Sequence, residues 1–185
     1  MNTPLIKWTG SKRPIAAKIT SYFPKEIETY YEPFVGGGSV FFRLLKDNAN
    51  VKKFKLSDKN DSLINILTTV KDKPQELILS YNDKWEKLQK DPNFFYTERE
   101  IYNKTKDPLI FYFLTRTCYN GTIRYNRKGE FNTSHHFGRT GMLPKKVEEV
   151  ISYYSELMKG KDIDFTCSSF DNISPIGNKD VVYLD

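Results

Sequence analysis

Apolar positions recur along this chain with two different periods. Ile15, Ile19 and Tyr22 stand at helical spacing, with Ser11 as a capping residue and Pro14 in the first turn, which predicts a helix running to about Tyr22. Thr29 to Glu32 reads as a short strand. After a glycine run, Val40, Phe41, Leu44 and Leu45 return to helical spacing, and Lys53 to Ser57 reads as a second strand ending at Asp58. Strand, glycine loop, helix, strand, acid is the order of a nucleotide-binding βαβ half-fold.

Beyond Asp58 the helical period dominates. Leu63, Ile64 and Leu67 continue as a helix, and Leu77, Ile78, Tyr81, Trp85 and Leu88 form another. Pro92 and Pro108 punctuate two further helical stretches, about 94–104 and 108–118. Asn120-Gly121 and Lys128-Gly129 are turn signals, so Cys118 to Asn132 reads as a β-hairpin or ordered loop. Pro144 opens a helix carrying Val147, Val150, Ile151, Tyr154 and Leu157. Strand pattern returns at Ile163–Ser168 and at Val181–Leu184. The reading is an α/β core made of residues 1–59 and 146–185, interrupted by a mostly helical segment at 60–145.

Composition changes this picture in three ways. At 185 residues with 38% hydrophobic positions, the chain can bury a full core. A net charge of +6 favours a polyanionic partner such as nucleic acid or anionic lipid. Cys118 and Cys167 lie far apart with no CxxC, which points to reduced thiols and a cytoplasmic setting rather than a disulfide framework. There is no apolar run long enough for a membrane span.

The stretch "YEPFVGGGS", Tyr31 to Ser39, carries the first chemistry. A glycine loop at the end of a strand, followed by a helix N-terminus, lets a ligand approach bare backbone and free N–H groups. Dinucleotides and S-adenosylmethionine (AdoMet) both fit such a loop. Gly36-Gly37-Gly38 is contiguous and lacks the third glycine of G-x-G-x-x-G, and no Gly-Lys-Ser/Thr of a P-loop is present. Asp58, 22 positions after Gly36, matches an acid that binds ribose hydroxyls.

Five blocks in order give the chain a family likeness. "KWTGSK" (Lys7–Lys12), "EPFVGGGS" (Glu32–Ser39), "LSDKN" (Leu56–Asn60), "CYNGTIRYNRKGEFN" (Cys118–Asn132) followed by Phe137-Gly138-Arg139, and "VVYLD" (Val181–Asp185) together resemble the Dam-type, D12 class DNA adenine-N6 methyltransferases. The resemblance implies a Rossmann-like AdoMet-dependent core with an inserted target-recognition domain. It implies that Trp8 packs beside the cofactor and the flipped adenine, and that Lys12 approaches the cofactor carboxylate or sets the site's electrostatics. Phe34 and the backbone of Gly36 and Gly38 bracket the methionine part, Asp58 takes the ribose, and Ser169 and Phe170 meet the AdoMet adenine. The glycines are bare, on this expectation, so that AdoMet lies against them.

The Arg116–Arg139 block holds five cations, Arg116, Arg124, Arg127, Lys128 and Arg139, against the single acid Glu130. Tyr119, Tyr125, Phe131 and Phe137 are interleaved. Arginine grips phosphates and pairs with guanine, and aromatic rings stack on unpaired bases. Tyr119 and Asn120 are the candidates for holding an opened duplex, and Arg124 is the candidate base reader. Arg116, Arg127, Lys128 and Arg139 are assigned to phosphates, and Asn126 and Asn132 join the DNA-contacting set. The chain departs from the family at Asn132 to Arg139, where "NTSHHFGR" stands in place of a shorter Asn-Val-Pro-Phe-Gly-Arg. A GATC-like target follows by analogy alone. Adjacent His135 and His136 point apart, so no metal shell is expected.

Asp185 aligns with the first residue of the family's Asp-Pro-Pro-Tyr motif and is the catalytic candidate, next to the methyl acceptor; Pro-Pro-Tyr is absent. The family sheet continues with further strands, so a segment outside this chain is expected to complete the core and cover an otherwise exposed Val181–Leu184 edge. The competing expectation is a truncated module that binds AdoMet or DNA without methylating. An oxidoreductase is disfavoured by the glycine spacing, and an RNA methyltransferase by the duplex-reading hairpin.

Overall fold

Period-two burial sets the sheet. Tyr30, Phe54 and Ile163 are register partners on one face, followed one pleat on by Glu32, Leu56 and Phe165. Tyr30, Phe54 and Leu56 are fully buried there. The computed structural model describes residues 3–170, 173 and 177–185. Strands β1 (Glu26–Glu32), β2 (Asn50–Asp58), β3 (Asp162–Cys167) and β4 (Val181–Val182) form one parallel sheet in the order β3-β2-β1-β4. The observed strands begin earlier than the apolar pattern implied, because the charged residues Glu26, Lys52 and Asp162 lie at their entry ends, where pairing needs only backbone.

Helices α1 (Ala16–Thr20), α2 (Ser39–Lys46), α3 (Asp61–Asp72), α4 (Pro74–Lys90), α5 (Phe94–Thr105), α6 (Pro108–Thr117) and α7 (Pro144–Met158) follow the predicted apolar stripes. Local signals fix their starts. Asn60 caps α3 by accepting from the Leu63 amide, Asp107 caps α6 by accepting from the Leu109 amide, and Pro74, Pro108 and Pro144 occupy first turns. Phe41 of α2 packs edge-on against Phe54 and Phe165, seating that helix on the sheet. Helix α7 touches α2, α3 and α4, and the buried hydrophobics form one cluster from the sheet through to α6. The opposite sheet face presents Lys53, Lys55, Asp162 and Asp164.

Two expectations are corrected. Ser11 does not cap α1, which starts at Ala16. Residues 8–15 turn back on themselves instead, with the Ser11 amide donating to the Trp8 carbonyl and the Ile15 amide to that of Lys12. The Ser11 hydroxyl thereby reaches that of Ser39, 2.8 Å away at the start of α2. The expected hairpin is also short. Isolated antiparallel bridges join Cys118 to His135 and Tyr125 to Phe131, and Tyr119–Gly121 forms one 3₁₀ turn. Among the described residues no helix is long and apolar enough to cross a membrane.

Candidate functional site

The strand order reverses between β1 and β4, and ligands of open α/β sheets settle in the crevice outside the strand ends at such a point. Here the glycine loop leaves β1 and Asp185 follows β4, on either side of that crevice. The cleft of about 210 Å³ is lined by Trp8, Lys12, Glu32, Gly36 and Asp185, among others. The sheet supplies Glu32 and Asp185, and the folded-back N-terminal segment supplies Trp8 and Lys12. Lys12 Nζ lies 2.7 Å from Asp185 Oδ2, a pair about one third exposed on both sides.

The glycines have neighbours within the chain. A Cβ on Gly36 would stand 3.0 Å from the Trp8 ring, and one on Gly38 would stand 2.8 Å from the Phe42 ring. Both residues have positive φ, +49° and +70°. Bare backbone at 36 and 38 thus admits Trp8 and Phe42, a reason within the chain that stands beside the expected ligand contact. The shape of the loop is held from β2: Asp58 Oδ2 accepts from the Gly36 amide at 3.0 Å, and its Oδ1 accepts from the Asn60 amide.

Glu32 escaped the sequence reading. Its side chain is buried in the cleft wall, and Oε2 accepts from the Tyr30 hydroxyl at 2.8 Å and from the Phe41 amide in the first turn of α2 at 3.1 Å. Burial pushes its carboxyl up to about 8, opposed by those two hydrogen bonds and reinforced by Asp185. Burial, with Glu32 alongside, likewise raises the Tyr30 phenol. The available signal was periodicity: Glu32 shares a face with Tyr30, which places an acid on the buried side of the strand.

Phe34 and Phe170, both exposed, meet at the strand ends with ring centroids 5.5 Å apart. Ser169 is not brought to the Trp8 cleft; it lines a separate cleft of about 260 Å³ with Tyr31, Pro33 and Ser57. The expected cofactor residues thus divide into one group around Trp8 and Asp185 and another around Phe34 and Phe170, with Asp58 bonded to the loop between.

Among the residues expected to face DNA, Tyr119, Asn120, Arg124, Arg127, Lys128, Asn132 and Arg139 are exposed. Asn126 is turned into its own loop: its Oδ1 accepts from the amides of Lys128 and Glu130, and its Nδ2 donates to the Glu130 carboxylate. Arg116 is not on that surface. It is buried, its guanidinium donates to the carbonyls of Pro4 and Leu5, and it lies over the Tyr112 ring. The helical period of α6 points it inward, where it ties the N-terminal segment down. Arg116→Met is therefore expected to lower stability by about 2–3 kcal/mol, read by urea unfolding. Arg127→Met, at an exposed position, is expected to leave stability unchanged. The reverse assignment of effects would show that the burial of Arg116 has been misjudged.

No group of three or more His, Cys, Asp and Glu residues suited to a metal ion occurs among the described residues. A family model described as D12 class N6 adenine-specific DNA methyltransferase matches residues 8–185. The chain is 34% identical over 200 residues to the Type II methyltransferase M.MjaIII of Methanocaldococcus jannaschii, covering 98% of this chain and 68% of that protein. It is 33% identical over 189 residues to the DNA adenine methylase of Escherichia coli K12, covering 100% and 64% respectively. With the DNA adenine methylase of Haemophilus influenzae it shares 31% identity over 98% of its own length and 62% of the relative's. The chain spans about two thirds of the length of these relatives.

Proposed function

Because the chain belongs to the D12 class of N6-adenine-specific DNA methyltransferases, we propose that it binds AdoMet at the carboxyl edge of its sheet and duplex DNA through residues 118–139, in the service of site-specific methylation of adenine N6. On this reading residues 1–59 and 146–185 are the AdoMet-binding core, and 60–145 the target-recognition part. The observation that carries it is the meeting of Trp8, Lys12, the glycine loop and Asp185 in one cleft at the reversal of strand order.

The donor set suits AdoMet. Carboxylates at Asp58 and Asp185 match ribose hydroxyls and a cationic ligand, and the faces of Trp8, Phe34 and Phe170 match a sulfonium and a purine. AdoMet, when bound, supplies a methyl group on a positively charged sulfur. Because its ring meets that of Phe170, Phe34 is moved from the methionine part expected from the sequence to the purine end, which it holds with Phe170; Asp58 takes the ribose, and Trp8 walls the reacting end. Asp185 accepts a hydrogen bond from the adenine amino group and stabilises the positive charge that develops on that nitrogen. Lys12 fixes the orientation of Asp185 through their ion pair. Reaching an adenine in duplex DNA requires extruding it, at roughly a few kcal/mol. Tyr119 and Asn120, exposed at the tip of their turn, hold the opened duplex, and Arg124 reads a base edge. Arg127, Lys128 and Arg139 grip phosphates.

A second reading, binding without transfer, is favoured by one observation: Lys12 already occupies one oxygen of Asp185. Labelled methyl transfer to unmethylated duplex, run beside calorimetric AdoMet binding, separates the two. The first reading expects both ligands to bind, and Asp185→Ala to cut transfer by about 10²–10⁴-fold, more than it weakens AdoMet binding. Binding of both ligands with no transfer to adenine supports the second, and failure to bind either overturns both.

A further inference from the structure

The histidine pair at 135–136 lies where this sequence departs from its family's pattern, and the fold gives its two members different surroundings. His135 is buried, stacked on Phe95 with centroids 5.3 Å apart, and burial, with His136 beside it, holds its ring below the usual imidazole range. His136 faces the other way. Its ring stacks on exposed Tyr119, centroids 4.8 Å apart and planes 18° from parallel. Backbone bonds fix that stack: the Tyr119 amide donates to the Ser134 carbonyl, and the His136 amide to that of Thr117.

His136 also lines a cleft of about 210 Å³ with Lys7, Arg116, Asn120 and Arg139. No carboxylate lines it. His136 Nδ1 and Arg116 Nε are buried without a hydrogen-bond partner among the described residues. The imidazole edge of His136 beside Lys7 and Arg139 suits an anionic acceptor entering this cleft.

We propose that His136 is a duplex-contacting residue, backing the Tyr119 ring and donating, as an imidazolium, to a DNA phosphate that enters this cleft. The proposal rests on the reading that residues 118–139 meet duplex DNA. Lys7 faces His136 from the N-terminal segment, Arg116 and Cys118 from the end of α6, Tyr119 from the 3₁₀ turn, and His135 and Arg139 from its own segment. The Cys118 thiol, pushed up to about 11 by burial, stays neutral near pH 7. Arginine is charged throughout. A phosphate in the cleft favours the charged imidazole over the neutral one. Duplex affinity then falls as pH rises through the imidazole range.

The chain has only two histidines, so imidazole NMR with ¹⁵N labelling reads each directly. Titrations are run on the free protein and with an unmethylated duplex. Duplex is expected to move the His136 titration to higher pH, and to bind more weakly at high pH than at low pH. His135 is expected not to respond. His136→Phe, which keeps a ring against Tyr119, should bind with a flattened pH profile, and His136→Ala should bind more weakly at every pH. Glu32 titrates near this range in the other cleft, and its contribution is common to wild type and variants. A His136 midpoint unmoved by bound duplex overturns the proposal, even if no variant folds. A His136→Phe variant with the wild-type profile does the same. Absence of any duplex binding by the wild type instead overturns the DNA-binding reading itself.

Discussion

Gly38→Val is expected to cost about 2–5 kcal/mol of stability and to weaken AdoMet binding at least tenfold, about 1.4 kcal/mol. Two terms add. Gly38 sits at φ +70°, a left-handed conformation that costs other residues roughly 1–2 kcal/mol. Its new Cβ would also press on the Phe42 ring at 2.8 Å. Phe42 cannot simply swing away, because its ring is packed against Tyr154 at a centroid distance of 4.5 Å. Overpacking of this kind costs about 1–3 kcal/mol. Relief by moving the loop displaces the Gly36 amide from Asp58, and with it a wall of the proposed cofactor cleft. Gly160→Val is the control: φ is +71° but nothing lies within 4 Å of the added carbon. Thermal melts of both variants and calorimetry of AdoMet binding test this. Equal losses in the two would show that Phe42 yields freely.

Glu32→Gln is expected to remove a pH dependence of stability. The Glu32 carboxyl is raised to about 8 in the folded protein from an ordinary value near 4.5. Between those values the unfolded chain has released this proton and the folded chain keeps it. Stability from this group is fully present below about pH 4.5 and is lost as pH rises toward 8. The gap of about three units corresponds to a loss on the order of 4 kcal/mol. A glutamine amide oxygen still accepts from the Tyr30 hydroxyl and the Phe41 amide, and carries no charge to desolvate. The variant should therefore match wild type near pH 5 and exceed it at pH 8. Urea unfolding from pH 5 to 8 measures the difference, in which the two histidines cancel. Parallel curves would mean that Glu32 is charged in the fold and that the cleft is wetter than its burial indicates.

Much of the fold was legible because its signals are local. Pro108 with Asp107 before it, and the stripe from Val147 to Leu157, determine helix starts and buried faces from neighbours a few residues away. The order of "EPFVGGGS", "LSDKN" and "VVYLD" likewise put the glycine loop, Asp58 and Asp185 at strand ends. The errors came where a side chain's partner lies far along the chain. Ser11 has the chemistry of a cap, yet Ser39 claims its hydroxyl. Arg116 stands among surface cations in sequence, but the turn of α6 buries it against the Pro4 and Leu5 carbonyls. Ser169 is next to Phe170 in the chain and faces a different cleft.

The sequence by itself determined the α/β order, the acids at strand ends and the basic, aromatic character of residues 116–139, because period, capping and composition act within a few residues. Only the tertiary structure decided which of these residues meet. It laid Trp8 on Gly36, paired Lys12 with Asp185, put Glu32 inside the cleft wall, and stacked His136 on Tyr119. The reason is that such contacts depend on strand register and on the path of a folded-back N-terminal segment. Both are fixed by the packing of the whole core and by no single stretch of chain.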